Sequence, residues 1–296
     1  MNPEPYWSLV KRSYPQFSHY DRSAIKLVTQ GWDSLVLDIN DEYIFRFPRR
    51  EATTLQFQKE ASLLPELMKT LSVPIPDFKY IQLIPHEPAQ SFIGYPKLNG
   101  VPLNQEISQS LGFREQMGTF LSELHRFPVE QAIALNVPAA NTKDWRKNYL
   151  DFYNWVRKYS FPKMNTTEIA YCRSLWEDFL TDESNFDFQP TLIHGDLASE
   201  HILYDPRGDF LSGIIDWGDT KIGDPAHDFV GLHIIGGREL VERVMRHYCG
   251  SSASAFWQRI IFYTAIIPFY EIQYGFIVNQ DQHIQRGLQQ IKDSMA

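Results

Sequence analysis

Asp196 and Asp216 each follow a short apolar run, and His201 stands five residues beyond the first of them. The segment reads Leu192-Ile193-His194-Gly195-Asp196, then His201-Ile202-Leu203-Tyr204. Past a turn at Gly208 come Gly213-Ile214-Ile215-Asp216-Trp217-Gly218 and Gly223-Asp224-Pro225-Ala226-His227-Asp228. Carboxylates delivered by strands into loops suit phosphoryl transfer. One orients or deprotonates an attacking hydroxyl, the other holds Mg2+ against nucleotide phosphates, and His201 adds a further metal ligand. Magnesium prefers oxygen ligands and keeps several waters, so a sparse protein set suffices. A lone loop aspartate is ordinarily a turn or cap residue, and a lone histidine ordinarily a hydrogen-bonded core residue. The apolar flanks and the spacing of all three favour chemistry. His194 reads as a structural tie, Asp224 as a helix N-cap before Pro225, and Asp228 as a brace for the loop.

The elements that must position these residues fall into two groups. Ile25–Thr29, Ser34–Ile39 and Tyr43–Phe47 read as strands punctuated by Gln30-Gly31-Trp32 and Asn40-Asp41. A helix follows from Thr53 to Leu71, then strands at Tyr80–Ile84 and Phe92–Tyr95. Beyond Pro96-Lys97-Leu98-Asn99-Gly100 the pattern is helical: Leu111–Arg126, Thr142–Tyr159, Thr166–Leu180, Ala226–Ile235, Glu239–Cys249, Ala255–Val278 and Gln282–Lys292. The chemistry sits in a strand-rich island, Thr191–Ile215. The expected fold is α+β and bilobal, with a mostly-β lobe over residues 1–96, a helical lobe over 97–296 and a hinge at about 96–100.

Composition narrows the partners. Lys and Arg number 28 against 36 Asp and Glu, a formal charge of −8, which argues against nucleic acid. Cys172 and Cys249 offer neither a disulfide framework nor a zinc site, so a reducing cytoplasm is expected. The most apolar run, Arg259 to Val278, is interrupted by Pro268, Glu271 and Gln273 and reads as a buried helix, with no membrane partner. There is no Gly-x-x-x-x-Gly-Lys-Ser/Thr motif, which excludes a P-loop enzyme.

His-Gly-Asp followed by His201, then Ile-Asp-Trp-Gly and Asp-Pro-x-x-Asp, resembles the aminoglycoside phosphotransferase superfamily. The likeness lies on its antibiotic-kinase branch, near aminoglycoside 2″- and macrolide 2′-phosphotransferases. It extends along nearly the whole chain, through Phe45-Arg46-Phe47-Pro48-Arg49-Arg50, Val73-Pro74-Ile75-Pro76, Gly94 to Gly100, and Leu121-x-x-Leu124-His125. The resemblance implies a protein-kinase-like fold acting as a Mg-dependent small-molecule kinase and a monomer. It assigns Asp196 as the catalytic base and His201 and Asp216 as metal ligands. Arg46 becomes the phosphate-binding cation and Glu60 its carboxylate partner, with Ser34, Tyr95, Lys97 and Leu98 around the nucleotide. A tyrosine at the position of Tyr95 implies that GTP is used at least as well as ATP.

Three features depart from the pattern. His201 stands where most relatives carry Asn, Arg46 where a Lys is usual, and the phosphate loop Gln30-Gly31-Trp32-Asp33-Ser34 has one glycine. An imidazole can still ligate a metal, with more pH dependence; an arginine offers a planar fork instead of a point charge. The resemblance places the acceptor over the larger lobe, near Asp228, His233, Glu271 and Tyr274. Glu271 could meet an ammonium, which favours an aminoglycoside, while the apolar Phe229–Ile235 segment favours a macrolide. A metabolite kinase of the choline or homoserine type and a nucleotide-binding pseudokinase complete the alternatives.

Overall fold

Along Tyr43–Pro48, Phe45 and Phe47 point to one side and Ile44 and Arg46 to the other, and this alternation sets which face of the first sheet meets ligand. In the computed structural model, which describes residues 2–29, 31, 33–250 and 255–295, the chain opens with α1 (Glu4–Ser13). Strands β1 (Ile25–Val28), β2 (Ser34–Ile39) and β3 (Tyr43–Pro48) follow, then α2 (Glu51–Leu67), β4 (Tyr80–Gln82) and β5 (Phe92–Pro96). These strands form one antiparallel sheet in the order β1-β2-β3-β5-β4. Its outer face, with Leu37, Ile39, Phe45, Phe47 and Phe92, packs on Trp7, Leu9 and Val10 of α1. The opposite face carries Val36 beside Arg46 and Ile44 beside Tyr95, as the register requires.

After Pro96 the chain leaves this sheet. It continues through β6 (Val101–Pro102), α3 (Leu111–His125), α4 (Val129–Ala134), α5 (Thr142–Tyr159) and α6 (Thr166–Thr181). Then come β7 (Thr191–Ile193), β8 (Ile202–Asp205), β9 (Phe210–Ile214) and β10 (Lys221–Gly223), followed by α7 (Val230–Met245), α8 (Phe256–Ala265), α9 (Ile267–Val278) and α10 (Asp281–Asp293). One apolar core, reaching from Leu63 and Leu67 of α2 through α3, α5 and α6 to α10, unites them.

Several elements differ from the sequence expectation, each for a local reason. The island is not one unit: β7 pairs with β10, whereas β8 and β9 join β6. The Asp196 loop is the connection between those two ribbons. The helix expected from Ala226 begins at Val230, because Asp224 caps a 3-10 turn over Pro225–Phe229. It runs on through the expected second helix, kinked at Gly237, whose φ of 63° only glycine adopts at no steric cost. The apolar run Phe256–Val278 is long and apolar enough to cross a membrane by length and composition. Here it is two helices broken at Ile266, with Pro268 in the first turn of the second and Phe269 and Ile272 in the core. The expected helix from Thr53 starts at Glu51 and ends at Leu67. Helices α1 and α4 and strands β6 and β10 were not anticipated. Gln30 and Trp32 of the expected phosphate loop lie outside the described residues.

Phe120 of α3 is fully buried, edge-on to Trp217 just past Asp216. Phe120→Ala should lower unfolding stability by about 3–5 kcal/mol, the usual loss for an emptied aromatic site. Denaturant unfolding checks this, and an unchanged m-value would locate the loss in the native state.

Candidate active site

The Asp196 loop is held by its backbone. Asp228 is fully buried and accepts from the N–H groups of His194 (2.8 Å) and Gly195 (2.9 Å), while His125 Nε2 lies 3.1 Å from the same carboxylate. Burial opposes its charge, yet His125 and these donors hold its pKa below the usual range. His194 then joins the two aspartate loops. Its Nε2–H donates to the Ile215 carbonyl (3.1 Å), which leaves Nδ1 to accept from the Asp196 N–H (3.3 Å). Gly195 has φ +83°, and a Cβ there would stand 2.4 Å from the Asp219 carbonyl oxygen. On the other flank, a Cβ on Gly231 of α7 would fall 2.0 Å from the Leu197 oxygen, so helix and loop touch backbone to backbone.

Asp196 itself is half exposed, and burial of its surroundings pushes its carboxyl up to about 6, against the pull of His201. His201 donates Nδ1–H to the Asp196 carbonyl (2.8 Å). Its Nε2, left with a lone pair in the neutral ring, faces Asp216 Oδ2 at 3.6 Å. Two electron-pair donors turned toward one another suit a shared cation. Among the described residues no group of three or more His, Cys, Asp or Glu could hold a metal. His201 and Asp216 could together hold a divalent cation whose remaining ligands came from phosphate and water. Asp216 sits in the left-handed region (φ 65°, ψ 65°), which the short polar side chain of Asp tolerates better than most.

Arg46 forks between two carboxylates, bonding Glu60 Oε2 and Asp216 Oδ1 at 2.9 Å each. Burial alone would lower its pKa, but the two carboxylates outweigh burial and raise it. Burial pushes Glu60 upward against Arg46, whereas Asp216, with Arg46 and two histidines beside it, ends below the usual range despite its own desolvation. Lys59, which sequence reasoning missed, is also buried. It donates to the carbonyls of Gly218 (2.6 Å) and Thr220 (2.8 Å), tying α2 to the loop after Asp216, and burial draws its pKa down to about 8.

The expected nucleotide residues are unevenly placed. Ser34 and Tyr95 lie buried on the Arg46 face of the sheet, with Phe78 against the Tyr95 ring at 5.6 Å. Leu98 lies across the Gly213 backbone of β9. The Lys97 ammonium is held by Asp38 (2.7 Å) and Asp41, on the β2–β3 hairpin.

Of the four expected acceptor residues, Asp228 is enclosed and the other three have partners on neighbouring helices. Asp228 has no exposed surface and serves the loop. Glu271 accepts from His283 (2.8 Å) and Arg286 (2.9 Å) of α10, and the Tyr274 ring packs on the same His283. His233 bonds Thr264 across from α8. A concave surface lies between α5 and α9. A cavity of about 630 Å3 is walled by Trp145, Tyr149, Phe152 and Trp155 of α5 and by Tyr270 and Gln273 of α9, with Lys221 at one edge. The α5 rings recur every three to four residues, a spacing that reads as core in a sequence.

This kinase-like α+β arrangement, with two loop aspartates facing an arginine-bearing sheet, defines the class. The chain belongs to the phosphotransferase enzyme family (APH), whose profile matches residues 24–260. It is 26% identical over 280 residues to the uncharacterized protein YcbJ of Bacillus subtilis (strain 168), covering 88% of this chain and 87% of that one. A GDP complex of wild-type aminoglycoside 2′-phosphotransferase-IIIa superposes with a TM-score of 0.87 at 25% identity, over 99% of this chain and 98% of that chain. The apoenzyme of macrolide 2′-phosphotransferase MphH from Brachybacterium faecium superposes with a TM-score of 0.76 at 18% identity, over 97% and 98% respectively.

His194 is fully buried and His227 half-buried, and desolvation lowers each to about 4 from an ordinary 6.5. Between those values the unfolded chain binds more protons than the native one. Stability should therefore be fully present above pH 6.5 and fall as pH drops toward 4. Urea midpoints measured across that window should decline, and His227→Gln should make the decline shallower.

Proposed function

We propose that this phosphotransferase moves the terminal phosphate of GTP or ATP to a hydroxyl of an antibiotic-type small molecule. The observation that carries the reading is the juxtaposition of Asp196, His201 and Asp216, linked at 3.5 and 3.6 Å, beneath the Arg46 fork. In this reading Asp196 aligns the acceptor hydroxyl and takes its proton as the new O–P bond forms and the bond to the nucleoside diphosphate breaks. Arg46, kept charged by its two carboxylates and oriented by Glu60, steadies the phosphate oxygens. Asp216 and His201 hold Mg2+, which when bound would neutralise charge on those oxygens. Ser34 and the cleft face near Tyr95 and Leu98 flank the nucleotide. Tyr95 and the GDP bound by the aminoglycoside enzyme support use of GTP. We place the lobe division at 96–100, where the chain leaves the first sheet, and take the protein to act as a cytoplasmic monomer.

Likeness to the aminoglycoside 2′-phosphotransferase supports an aminoglycoside-type acceptor. The aromatic cavity beside the Asp196 loop supports a macrolide as the second reading.

Steady-state transfer from GTP and ATP to a panel of both antibiotic classes tests the assignment. Asp196→Ala should lower kcat by about 10²–10⁴-fold, the usual contribution of a positioned base, while nucleotide still binds. Turnover equal in the two proteins, or nucleotide binding with no transfer in either, would remove Asp196 from its role.

A further inference from the structure

The 630 Å3 cavity is of a size that takes a drug-sized molecule. Two observations place it beside the reacting groups. Lys221 borders it and pairs with Ile193 in the β7–β10 ribbon that delivers Asp196. The Lys221 side chain also passes Gly195, with Cε 3.4 Å from where a Cβ there would stand. A ligand filling the cavity therefore reaches the loop that carries Asp196.

The chemistry of the walls is unlike a polyamine site. Five rings face the space: Trp145, Tyr149, Phe152, Trp155 and Tyr270. Phe152 and Tyr270 are stacked at 4.5 Å, both partly open to solvent. Trp145 is fixed by a buried chain in which its Nε1–H donates to Tyr263 (2.9 Å), whose hydroxyl donates to Asp224 (2.7 Å). The formally charged groups are few. Asp151, the one carboxylate of the lining, is exposed and 2.8 Å from the Lys147 ammonium, while Lys221 adds a cation. His227 is half-buried, and desolvation beside Lys221 lowers its pKa to about 4, while burial raises Tyr149. The remaining polar groups are the amides of Asn148 and Gln273. An ammonium moved from water into such a space loses hydration, and the one carboxylate it can meet, Asp151, lies at the exposed rim beside Lys147. A ring face loses little hydration and gains stacking contact.

We infer that the cavity selects a hydroxylated ring compound with an apolar or aromatic face and at most one positive charge, and rejects polycations, with Asn148 and Gln273 setting that charge limit. The inference rests on the phosphotransferase reading only in taking this ligand to be the acceptor, and it favours the second acceptor named above, the macrolide, over the aminoglycoside. Binding is therefore measured without chemistry, in the Asp196→Ala protein, by quenching of tryptophan fluorescence and by equilibrium dialysis. The probes are 4-nitrophenyl β-D-glucopyranoside (neutral), erythromycin (one amine) and kanamycin (several amines). At least one of the first two should bind, and kanamycin should not displace it. Asn148→Asp and Gln273→Glu, near-isosteric changes at solvent-facing positions, should each tighten kanamycin by about tenfold, the scale of one charge-assisted hydrogen bond. Kanamycin binding more tightly than both ring probes to the unmodified cavity would overturn the inference. So would failure of all three to bind, or indifference of kanamycin to both added carboxylates. Selective ring binding together with no phosphate transfer in the native enzyme would overturn the phosphotransferase reading alone.

Discussion

A carboxylate with no access to water must find its hydrogen bonds inside the protein, and Asp228 finds them on the loop that precedes Asp196. The N–H groups of His194 and Gly195 are consecutive, so both oxygens engaged at once fix the orientation of that peptide segment. His125, from the C-terminal end of α3, closes the arrangement and ties it to the main core. From this anchor the geometry propagates outward. His194, its backbone fixed by Asp228, uses its ring to join the Ile215 carbonyl to the Asp196 N–H. The separation of the two aspartates is thereby set by an imidazole's width and not by loop length.

A second constraint comes from the opposite side of the cleft. Arg46 and Lys59 are both buried cations, one on the sheet and one on α2, and both reach the segment around Asp216. Arg46 meets a carboxylate on each arm. Lys59 meets two carbonyl oxygens, weaker partners for a desolvated ammonium, which is why burial dominates its pKa. Together they couple the orientation of α2 to the left-handed backbone at Asp216.

In the grouping of Asp196, His201 and Asp216, the histidine lies 3.5 and 3.6 Å from the two carboxylates. That grouping was legible because its signal is local: apolar strands, loop aspartates and fixed spacing lie within a few dozen residues. Arg46 with Glu60 was reached through family resemblance, and the structure joins them at 2.9 Å. Other features had no local signature. Lysine is ordinarily exposed, so nothing marked Lys59 as buried beside Glu60. A helical stripe of aromatics looks the same whether it faces a core or a cavity, so the α5 rings carry no local signature of the space beside them. Glu271 was taken as a ligand for a substrate ammonium because its cationic partners, His283 and Arg286, come from the next helix. The pairing of β7 with β10, and of β8 with β6, depends on where the chain returns, which residue pattern alone does not record.

The buried chain Trp145–Tyr263–Asp224, joined by Arg259 at 2.6 Å, divides the cavity wall into two kinds of position. Trp145 shares its bonding with the segment whose Asp228 holds the Asp196 loop, which ties that wall position to the loop. Asn148, Phe152, Trp155 and Gln273 have no such attachment among the hydrogen bonds described. Those four positions can vary without disturbing the bonded half, so in the proposed acceptor pocket the residues free to change are separate from those tied to the Asp196 loop.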